Sequence, residues 1–132
     1  MSAIERNIKG IMLVAGLFTF GLVYAFVAPW AALRTLFGAS LEGPVANMVV
    51  RNWGALIALV GAMILYGAYR PAVRRFVLAT TAISKVFFVG LVIAGGTDFF
   101  GHLIAVAALV DIVVVVLFAG YLWATRGQSA AA

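Results

Sequence analysis

The sequence predicts an all-α fold, an integral membrane antiparallel four-helix bundle forming a single domain over residues 1–132. Composition comes first: of 132 residues, 66% are hydrophobic and 10% charged, with a mean hydropathy of +1.18. A soluble domain carries roughly 25% charged residues because it has to wet its own surface. This chain has too few polar groups for that, so lipid is its main solvent. Second, four apolar segments each come close to the roughly 20 residues that a bilayer-spanning helix needs. Third, all the basic residues except Lys85 fall at or near segment ends, as topology control requires.

The first segment runs from about Ile8 to Trp30 and stops at Pro29-Trp30. Arg6 and Lys9 in front of it, with Ala25-Phe26-Val27-Ala28 behind, give it a loose likeness to a cleaved signal peptide. Its apolar run exceeds the roughly 7–15 residues of such a signal, so a retained helix is expected. The connection from about Ala31 to Asn47 is the one long link. It carries apolar Leu33, Leu36, Phe37 and Leu41, and it is broken by Gly38, Gly43 and Pro44. A short interfacial helix or a lid over the bundle mouth fits that composition better than a disordered linker. The second segment spans about 48–69 and ends at Arg70-Pro71. The third spans about 73–94 and ends at Gly95-Gly96, a glycine stop. The fourth spans about 101–123, and a flexible tail over 127–132 is expected. Trp30, Trp53, Tyr69, Phe99, Phe100, Tyr121 and Trp123 lie near the ends, where interfacial aromatics sit.

Arg6, Lys9, Arg70, Arg74, Arg75 and Arg126 fall on one side of this topology, against Arg34 and Arg51 on the other. The positive-inside rule then places both termini in the cytoplasm, with the bacterial inner membrane as the expected location. The net charge of +5 is scattered over helix ends, so contact with anionic lipid headgroups explains it and nucleic acid does not. With no cysteine, disulfides, thiolate metal sites and cysteine nucleophiles are excluded. The sequence also lacks a phosphate-binding glycine loop, HExxH and GxSxG. No metal and no cofactor are expected. A small multidrug exporter would carry an acid within its first helix; none follows Glu5 there.

Lys85 and Asp111 are the most informative residues, each interrupting an otherwise apolar span. A charge at mid-bilayer costs roughly 2.5–3.5 kcal/mol on insertion scales. Each lies about 12 residues, or about 18 Å, from the cytoplasmic end of its helix, so neighbouring antiparallel helices would bring them to one depth. Three readings stay open: a neutral structural pair, a ligand-binding or proton-handling site, or snorkelling or separate hydrogen bonds with Ser84, Thr81 or Thr80. Glu42, Asn47, Arg51, Asn52, Asp98 and His102 map to the outer ends, and Tyr24 to the outer part of the first helix. Together they outline a polar funnel above the pair.

Asn47 to Gly54, which includes Arg51, Asn52 and Trp53, is the densest polar and aromatic cluster. Arg51 is expected to pair first with Glu42 or Asp98, ahead of a phosphate headgroup or an anionic substrate. A stripe of Arg51, Ala55, Ala58, Ala62, Tyr66 and Tyr69 reads as a close helix contact. Asp98 and His102, four apart, would share one face if the fourth helix begins early, giving a carboxylate-oriented imidazole. Helix capping by Asp98 is the plainer reading. Tyr24 and Tyr66 are more often packing residues than acids.

Several short stretches resemble the DoxX-like group of small bacterial four-helix membrane proteins, including DUF4345-type members. They are Ala28-Pro29-Trp30, then Leu33 to Gly38 (Leu-Arg-Thr-Leu-Phe-Gly), then Arg51-Asn52-Trp53-Gly54, with Tyr69-Arg70-Pro71 and Ser84-Lys85 compatible. The resemblance implies the four-helix fold. It extends to quinone-linked oxidoreductase subunits, assembly factors and lipid-related isomerases, with no catalytic residue carried over.

The expected function is binding of a lipophilic small molecule, and its isomerisation or cyclisation if the protein is an enzyme, in an outer-half polar cavity. Asp111 would act as acid or base, Lys85 would tune it, and His102 would assist. Arg51, Asn52, Trp53, Tyr24, Glu42, Asp98, Asn47 and Tyr66 would contact substrate. The competing class is a structural or assembly subunit, packing through small-residue faces in a homo-oligomer or membrane complex; a quinone-linked partner role comes third. A sealed ion pair would favour the structural class, and an apolar pocket reaching Asp111 would favour ligand binding.

Overall fold

In the computed structural model, which describes residues 2–129, every long element is a helix and no strand occurs among the described residues. Helix α1 covers Ala3–Phe20 and starts earlier than its apolar run because Ser2 and Glu5 form a capping box. The Glu5 amide donates to Ser2 Oγ at 3.2 Å, and the Ser2 amide donates to Glu5 Oε2 at 2.7 Å. Two otherwise unpaired helix-end donors are satisfied in this way.

Helix α1 breaks at Gly21-Leu22, and a short α2, Val23–Val27, completes the first long apolar stretch. Pro29 and Trp30, expected at the end of that stretch, instead open α3, Pro29–Phe37. The chain has three prolines, and each begins a helix: Pro29 here, Pro44 in α4 (Pro44–Tyr69) and Pro71 in α5 (Pro71–Ala94). Proline has no amide hydrogen to lose in a first turn, and it forces the preceding residue away from helical geometry. Ala28 and Arg70 accordingly sit outside the helical region, at φ/ψ of −133/71° and −126/87°. The second and third long helices therefore start a few residues ahead of their expected 48 and 73. Gly38 closes α3 at φ 70°, a left-handed cap whose amide donates to the Arg34 carbonyl.

After a 3₁₀ turn at Gly96–Asp98, α6 runs Leu103–Ala124. Residues Arg126–Ser129 form a last helical turn, α7, which takes in residues 127–129 of the stretch expected as a flexible tail; residues 130–132 of that stretch lie outside the described residues. Four stretches, Ala3–Val27, Pro44–Tyr69, Pro71–Ala94 and Leu103–Ala124, are long and apolar enough to cross a membrane. This is the make-up of a multi-pass membrane protein.

Helices α1 and α2 pack most extensively on α4, and α5 on α6; looser α4–α5 and α1–α6 contacts join the two pairs. Glycine makes the first seam possible. A Cβ on Gly54 would stand 2.7 Å from the Phe26 amide nitrogen, and one on Gly61 would overlap the Phe20 backbone nitrogen. The close-contact row on α4 is thus Gly54, Ala58 and Gly61, all buried, while Ala62 and Tyr66 of the expected stripe are exposed. Only glycine lets two backbones come this near, and in lipid such packing drives association where the hydrophobic effect cannot.

One half of the molecule has a filled core of Ile8, Met12, Ala15, Ile64, Ala68, Val77, Leu78, Val114 and Phe118. The other half has two smaller clusters, one around Ala25, Ala32, Leu33 and Val50, the other around Val92, Ile104 and Ala108. The outer faces are apolar too, with Val14, Phe87 and Leu91 each more than 70% exposed.

Candidate functional site

Between the filled half and the two smaller clusters, Lys85 of α5 meets Asp111 of α6. Lys85 Nζ lies 2.6 Å from Asp111 Oδ1, with the two side chains only 8% and 10% exposed. At 1.5 Å rise per residue, the pair is about 13 Å from the end where α5 leads into α6, and about 20 Å from the other end. The two residues therefore lie at nearly the same height along their helices, as expected. Lys85 Nζ also donates to Thr19 Oγ1 at 3.2 Å, which ties in α1 two residues before its break. One ammonium joins three helices. The pair is hydrogen-bonded as a buried charge has to be, since an unpartnered one costs several kcal/mol.

A cavity of about 80 Å³, counted as space open to water centres, rests on this floor. One water needs roughly 10–15 Å³ on that measure, so the space suits a small molecule or several waters. Phe18, Leu22, Ile57, Val60, Phe88, Ile104 and Ala107 supply apolar wall from α1, α4, α5 and α6 and the turn after α1. Leu36 reaches in from α3, so this short helix forms part of the cavity wall. Beside it, Phe37 packs on Trp53 at 6.2 Å between ring centroids and on Phe99 at 5.8 Å, edge to face. Trp53 lines the cavity as well. The space is only partly enclosed, and two of its lining residues, Phe18 and Ser84, are exposed.

The remaining residues expected at the site stand elsewhere. Arg51 pairs with neither Glu42 nor Asp98; its Nε donates to Asn47 Oδ1 at 2.9 Å and its Nη1 to the Phe26 carbonyl at 2.6 Å. It ties α4 to the carbonyl end of α2, a structural use of a forked cation. Asn52, Glu42, Asp98 and Tyr24 are exposed and do not line the cavity. Tyr66 lies near the far end of α4, with the Arg70 guanidinium 5.8 Å above its ring.

Asp98 and His102 do not share a helical face, because α6 begins only at Leu103 with His102 as its cap residue. Asp98 belongs to the 3₁₀ turn, and no side chain caps α6. The His102 ring packs instead against the Gly38 turn, where a Cβ would strike it. No group of three metal-ligating side chains occurs among the described residues.

The basic residues at the opposite end serve helix termini. Arg74 donates to the Gly67 and Ala68 carbonyls, and Arg75 donates to Thr125 Oγ1 at 2.6 Å. Lys9 sits 4.3 Å above the Tyr69 ring, and Arg126 3.9 Å above Trp123. Cations at carbonyl ends complement the helix dipole.

Thr81, one turn from Lys85 on α5, is fully buried, and its Oγ1 is the one sealed side-chain polar atom without a hydrogen-bond partner among the described residues. A buried hydroxyl with no partner costs roughly 1–3 kcal/mol. Thr81→Val, which keeps the shape and removes the hydroxyl, is therefore expected to raise stability by about 1 kcal/mol in detergent unfolding titrations. A loss of that size would mean that the hydroxyl has a partner in solution.

Compared with models of protein families, with curated proteins and with solved structures, the chain matches none.

Proposed function

We propose that this chain is a multi-pass membrane protein whose helices cross the bilayer in alternating directions and hold a lipophilic small molecule bearing one polar group. The observation that carries this reading is the cavity, whose apolar walls end on the charged floor of Lys85 and Asp111. A pair serving only to lock helices together needs no open space beside it. Ligand sites, by contrast, are mostly apolar concavities with a few convergent polar groups, often between packed helices. Charges held inside membrane spans mark such sites by default.

The alternating arrangement is supported by Lys9 near the start of α1 meeting Tyr69 at the end of α4, and by Arg75 near the start of α5 meeting Thr125 after α6. With six basic residues at that end, the positive-inside rule puts both termini in the cytoplasm of a bacterial inner membrane. The cavity then opens toward the outer half of the bilayer. Kinship with the DoxX-like proteins is part of this proposal, carried by the short stretches at Pro29, Leu33 and Arg51. If the bound molecule is converted, proton transfer by Asp111 beside Lys85 is the chemistry that this floor can carry. His102 stands outside the cavity and has no part in it.

Native mass spectrometry with solvent extraction tests the reading on purified wild type and Ala107→Phe. The substitution puts a ring into the cavity and leaves the ion pair intact. Wild type is expected to release one defined lipophile in roughly stoichiometric amount, and the variant to release none. A wild type that carries nothing, or a variant that retains the molecule, would remove the cavity from this role.

A further inference from the structure

The unused hydrogen-bonding capacity of the cavity floor narrows the chemistry of what it holds. A lysine ammonium has three N–H donors and an ionised carboxylate two acceptor oxygens. Two of the donors are committed, to Asp111 Oδ1 at 2.6 Å and Thr19 Oγ1 at 3.2 Å. Asp111 Oδ2 has no hydrogen-bond partner among the described residues. It is not sealed off either, because Thr81 Oγ1 alone is both sealed and unpartnered there. Asp111 and Lys85 both line the cavity, so Oδ2 is the acceptor left at its floor, beside an ammonium with one donor left. The floor carries one positive and one negative charge and is neutral as a unit.

From this geometry we infer that the group bound at the floor is a neutral hydroxyl, that of an alcohol or a phenol, and not a carboxylate or phosphate. The inference rests on the cavity reading above and specifies its ligand class. A hydroxyl donates its O–H to Asp111 Oδ2 and accepts from the remaining lysine donor, so both open valences are used. A carboxylate has no proton for Oδ2 and would bring a second negative charge against it. It would also unbalance a floor already neutral, in surroundings where an uncompensated charge is costly. A bare hydrocarbon fits the walls but leaves the acceptor unpartnered.

Calorimetric binding of three matched probes, 2-naphthol, naphthalene and 2-naphthoate, to the purified full chain tests this. Wild type and the Lys85→Met/Asp111→Leu double variant are compared, with Ala107→Phe as the filled-cavity control. The double variant removes both charges together, so it leaves no unpaired ion to unfold it. In wild type, 2-naphthol is expected to bind at least about tenfold tighter than naphthalene, the low end for a hydrogen bond to a charged group. 2-Naphthoate is expected to bind more weakly than naphthalene. In the double variant naphthalene binding persists and the preference for the hydroxyl disappears. Equal binding of 2-naphthol and naphthalene to wild type, or tightest binding of 2-naphthoate, overturns the hydroxyl inference while the cavity reading stands. If no probe binds, or if Ala107→Phe binds all three like wild type, both fall together.

Discussion

Replacing Asp111 alone with leucine is expected to cost about 3–5 kcal/mol, whereas Lys85→Met/Asp111→Leu together should be nearly neutral or stabilising. The asymmetry follows from what each change leaves behind. The single substitution strands the Lys85 ammonium, 92% buried, with only the Thr19 hydroxyl for company. Restoring its solvation means drawing the side chain along α5 toward an end about 13 Å away, more than two helical turns. The double substitution removes both charges and fills their space with apolar groups of similar volume. Lys85→Met alone should behave like the aspartate change, since a lone buried carboxylate is stranded in the same way. Denaturant titration in mixed micelles of wild type, the two single variants and the double variant closes a double-mutant cycle. A coupling energy near zero would show that the two groups are solvated independently and that the 2.6 Å contact contributes nothing.

Gly61→Ala should be the most damaging single methyl group in the molecule, costing about 1–3 kcal/mol or more. The added Cβ falls on the Phe20 backbone nitrogen, and a backbone atom cannot rotate away as a side-chain tip can. Helices α1 and α4 would have to separate, and Thr19, next to Phe20, would move with α1. The acceptor that steadies Lys85 is thereby displaced, so ligand retention should weaken along with stability. Gly90→Ala on α5 is the matched control: a Cβ there meets nothing within 4 Å. It should cost nothing and gain a few tenths of a kcal/mol from helix propensity. Equal effects at the two positions would mean that the α1–α4 approach is not as close as the backbone distances require.

Four long helices were legible from hydropathy alone, because an apolar run of that length has few other uses. Lys85 and Asp111 were legible for the converse reason, since a charge inside such a run is expensive and has to be compensated. Their partner Thr19 was not legible. A helical threonine can bond its own preceding carbonyl, so it carries no signal of a distant contact. The cavity walls were equally silent: Phe18, Ile57, Val60 and Ala107 read the same whether they face lipid or a pocket. Trp53, which lines the cavity, stands out in the sequence only because it sits in a dense polar and aromatic stretch. Arg51, from that same stretch, was misassigned because an arginine at a helix start can equally bind a carbonyl left free by a helix end. The face of α4 that packs was missed by about one residue, because the alanine row Ala55, Ala58 and Ala62 hides the deeper row of Gly54 and Gly61. Asp98 and His102, four apart, would share a face only inside a helix, and α6 starts after both.

If an apolar molecule occupies the space above Lys85 and Asp111, Trp53 in the cavity wall reports it directly. With Trp30→Phe and Trp123→Phe, Trp53 is the only tryptophan left. Its emission is followed while 2-bromonaphthalene, a heavy-atom quencher, is added to the protein in detergent. Quenching that saturates, and that Ala107→Phe abolishes, is the predicted result. Quenching that rises linearly with probe and is the same in both proteins would place the bromide in the surrounding micelle and contradict a binding cavity.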